Sequence, residues 1–411
     1  MYQACRSCGA GLRLSFCDLG TTPFSNSFVS ADELDRSETY YPLHARVCEA
    51  CWLVQIPAFE PPDTIFNAGY PYFSSYSHSW LHHCEQFCTE IMAARRLGPQ
   101  SQVVEIASND GYLLQYFSRA GIPVLGVEPS ANCAQVAESK GIPTLVKFFG
   151  RQTAVQLRAD GVRADLVVAN NVLAHVPDLN DFVAGITTLL APGGLASFEF
   201  PHLLRLIEGN QFDTIYHEHF SYFSLVAVKQ LLDRHGLRLF DVVEVPTHGG
   251  SLRVLAQHAA EAQPAPGRGG TKVLGDELRA GLDGAGAYTN FQDRVTATRM
   301  ALLDFLLVAR TARKKVWGYG AAAKGNTLLN YCGVRSDLLE AIVDRSPHKQ
   351  GRYLPGTRIP VRTPEDMIAA RPDYVLILPW NLRQEIVESM AVVREWGGKF
   401  VIPIPEPMVL S

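Results

Sequence analysis

The chain has no surplus of basic residues: 37 lysines and arginines stand against 41 aspartates and glutamates, giving a formal net charge of -4 and a pI near 6.3. Without excess cation to replace counterions along a phosphate backbone, nucleic acid is excluded as the expected partner. Apolar runs long enough to cross a bilayer are also missing, and Met1 to Arg6 carries no basic-then-apolar leader pattern. A cytoplasmic protein with no membrane partner is expected. In that compartment the nine cysteines stay reduced, so paired cysteines point to metal or redox chemistry before disulfides. At 411 residues and 47% hydrophobic, the chain is too long for one core, and two or three domains are expected.

Cys5-Arg-Ser-Cys8 and Cys48-Glu-Ala-Cys51 are two C-x-x-C knuckles that can close four thiolates around a tetrahedral zinc ion. Four thiolates leave no open position for a catalytic water, so the zinc is assigned to folding; a redox pair is the alternative. The long gap between the knuckles requires a small sheet, including Tyr41 to Val47, while Cys17 is unpaired and expected to be buried as an apolar residue. A short strand within Trp52 to Pro57 follows. Next comes an aromatic and hydroxyl-rich arm from Tyr70 through Tyr72 and Tyr76 to Trp80, suited to a sugar or nucleoside ring or, equally, to packing as a linker. The apolar spacing then predicts a helix from Trp80 to Leu97, closed by Gly98-Pro99.

Glycine is scarce where a dinucleotide site would need it. The strand Gln102 to Ala107 runs into Ser108-Asn109-Asp110-Gly111 and a helix from Tyr112 to Ala120, the entry to a doubly wound α/β sheet, yet the turn carries only Gly111. A pyrophosphate needs closer backbone contact, so a cofactor without phosphates, S-adenosylmethionine, is favoured. Glu128-Pro129 ends the next strand, Pro123 to Val127, at the ribose position. The strand Ala164 to Ala169 leads to Asn170 and Asn171, placed for the amino-acid part of the cofactor, and then to His175, which faces the reaction centre or is a surface histidine. Glu105, Ala107, Asn109, Gly111, Glu128, Pro129, Asn170 and Asn171 are the cofactor candidates. A further strand runs from Leu195 to Phe200.

Tyr216-His217-Glu218-His219-Phe220-Ser221-Tyr222-Phe223 concentrates two imidazoles, a carboxylate and two phenols, and is read as the catalytic centre rather than a polar loop. If it is extended, His217 and His219 share a face and Glu218 points away. Beyond it, His248-Gly-Gly-Ser-Leu-Arg253 reads as a turn entering a strand, where Arg253 meets a phosphate or is a surface charge. A long amphipathic helix is expected from Tyr288 to Arg310. Lys315-Val-Trp-Gly318-Tyr-Gly320-Ala-Ala-Ala-Lys324 then repeats the strand, glycine turn and helix, with Asp344 closing the strand Leu338 to Val343. Taken alone this is a nicotinamide signature, but Lys324-Gly325-Asn326 suits a substrate diphosphate at least as well.

Taken in order, the knuckles, Tyr70-x-Tyr72-Phe-Ser-Ser, Glu105-Ile-Ala-Ser-Asn-Asp-Gly111, Tyr216-His-Glu-His219, His248-Gly-Gly-Ser-Leu-Arg253 and Gly318-Tyr-Gly-Ala-Ala-Ala-Lys324-Gly-Asn326 resemble the sugar C-methyltransferases of branched deoxysugar biosynthesis, over nearly the whole chain. The resemblance implies a zinc-binding domain (1–69), a class I S-adenosylmethionine methyltransferase domain with the aromatic arm and a helical connection (70–305), and a degenerate Rossmann-like domain (306–411) without NAD. It implies methyl transfer to C3 of a dTDP-linked 4-keto-deoxysugar, in antibiotic-type pathways, by a monomer or weak homo-oligomer that is metal-independent at the reaction centre. A C–H bond beside a ketone ionises because the charge moves onto oxygen, and the reaction needs a base active near neutrality and a donor for the enolate. The resemblance makes His219 that base, with Tyr216 and Glu218 beside it, Tyr70 completing the pocket and His175 at the keto oxygen. Chemistry alone leaves His217 as a rival. Tyr72, His248, Arg253, Lys324 and Asn326 are the substrate-binding candidates. The alternatives are a nicotinamide-dependent sugar oxidoreductase and a zinc-containing nucleotide-sugar binding protein without catalysis.

Overall fold

The computed structural model describes residues 4–61, 73–261 and 267–410; Tyr70 and Tyr72 lie outside them. The N-terminal sheet begins with β1 (Leu14–Thr22), β2 (Tyr41–Val47) and β3 (Val54–Gln55), paired antiparallel in that order. Leu43, Ala45 and Val47 alternate with exposed Pro42 and half-buried His44 and Arg46, as a sheet with one face on a core requires. Cys17 is buried within β1 as an apolar residue.

The arm helix spans His78–Arg95, with Ser77 Oγ accepting from the backbone N–H of Trp80. It stops earlier than the glycine signal suggests, because Arg96 takes the left-handed capping conformation at φ 52°. The central sheet follows: β4 (Val103–Ile106), β5 (Val124–Val127), β6 (Thr144–Leu145), β7 (Ala164–Asn170) and β8 (Leu190–Pro201). The next strand, β9 (Ser221–Tyr222), leaves this sheet and pairs with β3, so the N-terminal sheet reads β1-β2-β3-β9. Strands β10 (Leu237–Val245) and β11 (Ser251–His258) complete the central order β10-β11-β8-β7-β4-β5-β6, parallel from β8 to β6 and antiparallel beyond it. The order reverses between β4 and β7, and ligands of doubly wound sheets bind at the carboxyl ends of such strands. Covered on both faces, β7 reads as a nearly continuous buried run, Ala-Asp-Leu-Val-Val-Ala-Asn.

The long helix expected from Tyr288 is broken at Asn290 into Gly286–Thr289 and Phe291–Thr311. Tyr288 is buried there, stacked 5.9 Å from Trp52, and its hydroxyl donates to the Leu282 carbonyl at 2.7 Å. The C-terminal sheet is built from β12 (Val316–Tyr319), β13 (Ile342–Val343), β14 (Val361–Arg362), β15 (Tyr374–Ile377), β16 (Lys399–Ile402) and β17 (Met408–Val409). Its order is β14-β13-β12-β15-β16-β17, parallel except for β17. The strand expected over Leu338 to Val343 shortens to β13, because the backbone N–H groups of Leu338 and Leu339 turn back to the Arg335 carbonyl. No helix among the described residues is long and apolar enough to cross a membrane.

Candidate active site

The loop 211–223 is tied to the cysteine knuckles through β3 and to the segment after β7 through Phe220 N, which donates to the Ala174 carbonyl. The four cysteine sulfurs, Cys5, Cys8, Cys48 and Cys51, lie within 4.8 Å of one another, the geometry a tetrahedral ion needs. Gln55 Nε2 donates to Cys5 Sγ at 3.1 Å from within β3, so the knuckle and the strand that pairs with β9 are tied by a side chain.

At the cofactor turn the backbone is left-handed at Ala107 (φ 56°), Asn109 (φ 49°) and Gly111 (φ 75°), which curls the chain back over the ends of β4 and β5. Glu128 Oε2 accepts from Asn109 N at 2.9 Å and Oε1 from Ser130 N at 2.8 Å, the second bond spanning Pro129. Burial pushes the Glu128 carboxyl above its ordinary range. Glu105 lies within β4, fully buried, and burial pushes its carboxyl well above the ordinary range. At the end of β7, both side-chain polar atoms of Asn170 and the Oδ1 of Asn171 are buried with no protein partner among the described residues. Such orphaned amide groups are costly unless a ligand meets them, and the amino and carboxylate groups of S-adenosylmethionine supply a matching donor and acceptor set. The arm is fastened here too: Ser74 N donates to Asn109 Oδ1 at 2.9 Å, and Lys140 bridges Ser75 Oγ to Asp110.

The histidine-rich segment is a turn and not an extended strand, since His219 N donates to the Tyr216 carbonyl at 2.9 Å. The two imidazoles therefore part company. His217 enters the N-terminal domain, where its ring meets Phe24, Tyr41 and Phe59 edge-on and its Nε2 donates to the Pro42 carbonyl at 3.2 Å. His219 turns the other way. Its Nδ1 lies 3.1 Å from the Thr214 carbonyl, which can only accept, so the proton sits on Nδ1. The Tyr216 hydroxyl must then donate to the unprotonated Nε2 at 2.8 Å. His175, in the 3-10 turn Leu173–His175 after β7, packs its ring edge-on 4.7 Å from that of His219, and Phe220 N donates to the Ala174 carbonyl. Burial first, then His175, holds His219 well below the ordinary 6.5 for histidine, and burial lowers His175 and His217 to about 4.

Glu218 faces away from His219: Oε1 accepts from Asn26 Nδ2 at 2.6 Å, and burial pushes its carboxyl up to about 7. Lys324, at the start of the helix Ala323–Cys332, donates to Asn381 Oδ1 at 2.8 Å and lies 4.4 Å over the Trp380 ring. Its charge acts on both His219 and His248, and burial lowers His248 to about 4. His248 is held at φ 55° with its ring edge-on to Trp80. Asn326 is buried within the same helix, where Asn330 donates to it.

Arg253 departs from the phosphate contact expected of it. Its guanidinium is buried over the Phe87 ring and bonded to Glu199 at 2.9 Å, so its charge is spent inside the sheet. Glu199 also accepts from His83 and Thr247, joining the arm helix to β8. The sequence reading missed Thr214, Asn26, Asp213, Trp380, Asn381, His83 and Glu199. Of these only Glu199 carried a local signal, a carboxylate inside the apolar run Phe198 to Phe200.

Three family models tile the chain: a zinc binding domain at 5–66, a methyltransferase domain at 80–242, and a C-methyltransferase C-terminal domain at 246–405. The C-methyltransferase NovU of Streptomyces niveus is 37% identical over 410 residues, covering 99% of this chain and 96% of its own. The chain belongs to the C-methyltransferase family. The enzyme is therefore a methyltransferase that uses S-adenosylmethionine and carries a structural zinc site, as the ordered motifs led us to expect. Family membership sets aside both the oxidoreductase and the non-catalytic binding protein. The methyltransferase domain also matches the ubiquinone biosynthesis O-methyltransferase of Methylobacterium sp. (strain 4-46), 35% identical over 107 residues, or 24% of this chain and 42% of that one. Magnesium protoporphyrin IX methyltransferase from Synechocystis PCC 6803 with bound SAH superposes with a TM-score of 0.35 at 16% identity, over 43% of this chain and 82% of that one.

Proposed function

We propose that the enzyme methylates C3 of a dTDP-linked 4-keto-deoxysugar through an enolate, with His219 as the base. The observation that carries this reading is the fixed tautomer of His219: Nδ1–H on the Thr214 carbonyl leaves Nε2 as the proton acceptor, in a buried site beside the end of β7. His217 is buried, with Nε2 donating to the Pro42 carbonyl and its ring among Phe24, Tyr41 and Phe59, which favours His219 over its rival.

His219 Nε2 takes the C3 proton, and the electron pair of that C–H bond moves into the C3–C4 bond as the keto oxygen gains the charge. The Tyr216 hydroxyl, on the same nitrogen, is placed to turn its proton toward that oxygen, and His175 to stand beside it. S-adenosylmethionine, when bound, would supply the electrophilic methyl group, its sulfonium sulfur keeping the C–S bond pair and leaving as the neutral thioether S-adenosylhomocysteine. Glu218 steadies the loop through Asn26. Lys324 and His248 face the sugar diphosphate, with Asn326 supporting the helix start; Tyr70 and Tyr72, by resemblance, close the pocket.

Two measurements test this. Labelled S-adenosylmethionine offered with a panel of dTDP-ketosugars should label one 4-keto-deoxysugar, and NMR of the product should show the new methyl on C3; a methyl on oxygen or on another carbon overturns the reading. The pH profile is the second. A depressed histidine pKa keeps the proton-accepting form populated as pH falls, so the acid limb of kcat/KM should lie below 6.5, the ordinary histidine value. A limb near 7 would instead report Glu218.

A further inference from the structure

Resting on the reading of His219 as the base, we infer that the C-terminal domain sets the tautomer of that base, with Trp380 and Thr327 acting as positioning residues through the backbone of Thr214. The 3-10 turn Phe212–Thr214 presents the Thr214 carbonyl to His219 Nδ1 at 3.1 Å. Both neighbours of Thr214 are held by the C-terminal domain. On one side Trp380 Nε1 donates to the buried Asp213 Oδ2 at 2.8 Å; on the other Thr327 Oγ1 donates to the Ile215 carbonyl at 3.2 Å. The peptide between them has little freedom to rotate. A third restraint comes from below, since Thr214 Oγ1 donates to the Gln211 carbonyl at 2.7 Å and Gln211 Nε2 to the Gly249 carbonyl at 2.9 Å. Gly249 permits the indole to lie there, because a Cβ at that position would stand 2.5 Å from Trp380.

A neutral imidazole carries one proton and places it where the better acceptor lies. With the Thr214 carbonyl fixed, Nδ1 is the protonated nitrogen, and Nε2 carries the lone pair, which the Tyr216 hydroxyl caps at 2.8 Å until it turns toward the substrate oxygen. If the carbonyl swings away, the proton is free to move to Nε2, and the ring then presents a donor where the reaction needs an acceptor. A domain that resembles a nucleotide-binding fold thus acts on proton abstraction through two hydrogen bonds, without touching the reacting atoms.

The test uses the full-length, zinc-loaded enzyme with 15N-imidazole histidine, the His219 signals being assigned by their loss in His219→Gln. In the parent enzyme the His219 shifts should report Nδ1–H. Trp380→Phe, which removes the indole N–H and leaves a smaller aromatic ring beside Lys324, and Thr327→Val should each move the shifts toward the Nε2–H form. Methyl transfer should fall about tenfold to a hundredfold, as misplacement of a reacting group does, with affinity for S-adenosylhomocysteine unchanged. Unchanged His219 shifts in both variants overturn the inference whatever the rates do. Shifted tautomers with undiminished turnover support the positioning and overturn His219 as the base. If Trp380→Phe fails to fold, the buried and nearly isosteric Thr327→Val carries the test alone.

Discussion

Replacing His219 by alanine is expected to lower methyl transfer by about 10²- to 10⁴-fold, the range a positioned general base contributes, while S-adenosylhomocysteine binds with nearly parental affinity. The separation follows from the fold. The turn after β4 is held by Glu128, which accepts from Asn109 N, and Asn170 stands unpaired among the described residues at the end of β7, whereas His219 is held by Thr214 and Tyr216 in the loop before β9. His217→Ala provides the contrast. That change removes an aromatic contact from the N-terminal domain and should lower its stability more than it lowers the chemical step. A companion measurement looks at proton abstraction alone: in D2O, with the ketosugar and S-adenosylhomocysteine, deuterium should enter C3 with the parent enzyme and not with His219→Ala. Full residual turnover of His219→Ala would remove the residue from the mechanism.

Stripping zinc should abolish turnover even though no zinc ligand touches the reacting carbon. Structural zinc sites contribute on the order of 10 kcal/mol to the folding of small metal-bound units, and the knuckles carry the ends of the strands they join. Gln55 joins Cys5 to β3, β3 pairs with β9 through Val54 with Tyr222 and Gln55 with Ser221, and Ile56 N donates to the Phe220 carbonyl at 3.0 Å. Melting β3 therefore frees the far end of the loop that carries His219. The core of the central sheet, from Val104 and Val167 to Phe198 and Leu231, meets the knuckle only at one edge, through Cys5, Leu12, Cys48, Cys51 and Leu53, and should stay folded. Hydrogen exchange after chelation should show protection lost in β1 to β3 and at β9, and kept in β4, β7 and β8. Cys48→Ser should give the same pattern. Cooperative loss of the whole chain on chelation would contradict this division, as would a chelated enzyme that still turns over.

Much of this was legible in the sequence because it is written in near neighbours. The C-x-x-C spacing fixes two sulfurs on one knuckle; β2 follows from alternation over Tyr41 to Val47; Gly111 marks a left-handed turn between a strand and a helix. The order of such motifs along the chain was specific enough to place the enzyme in its family. What the tertiary structure decided depends on partners 40 to 170 positions away, such as Cys5 with Gln55 and Asp213 with Trp380. A single turn hydrogen bond, His219 N to the Tyr216 carbonyl, sends His217 and His219 in opposite directions, and no pattern in eight residues specifies it. Arg253 looked free to meet a phosphate because Glu199, 54 residues away, cannot be read as its partner until β8 and β11 are paired. The protonation pattern of His219 is equally nonlocal, since a proton on Nδ1 or Nε2 is chosen by whichever carbonyl the fold brings within reach.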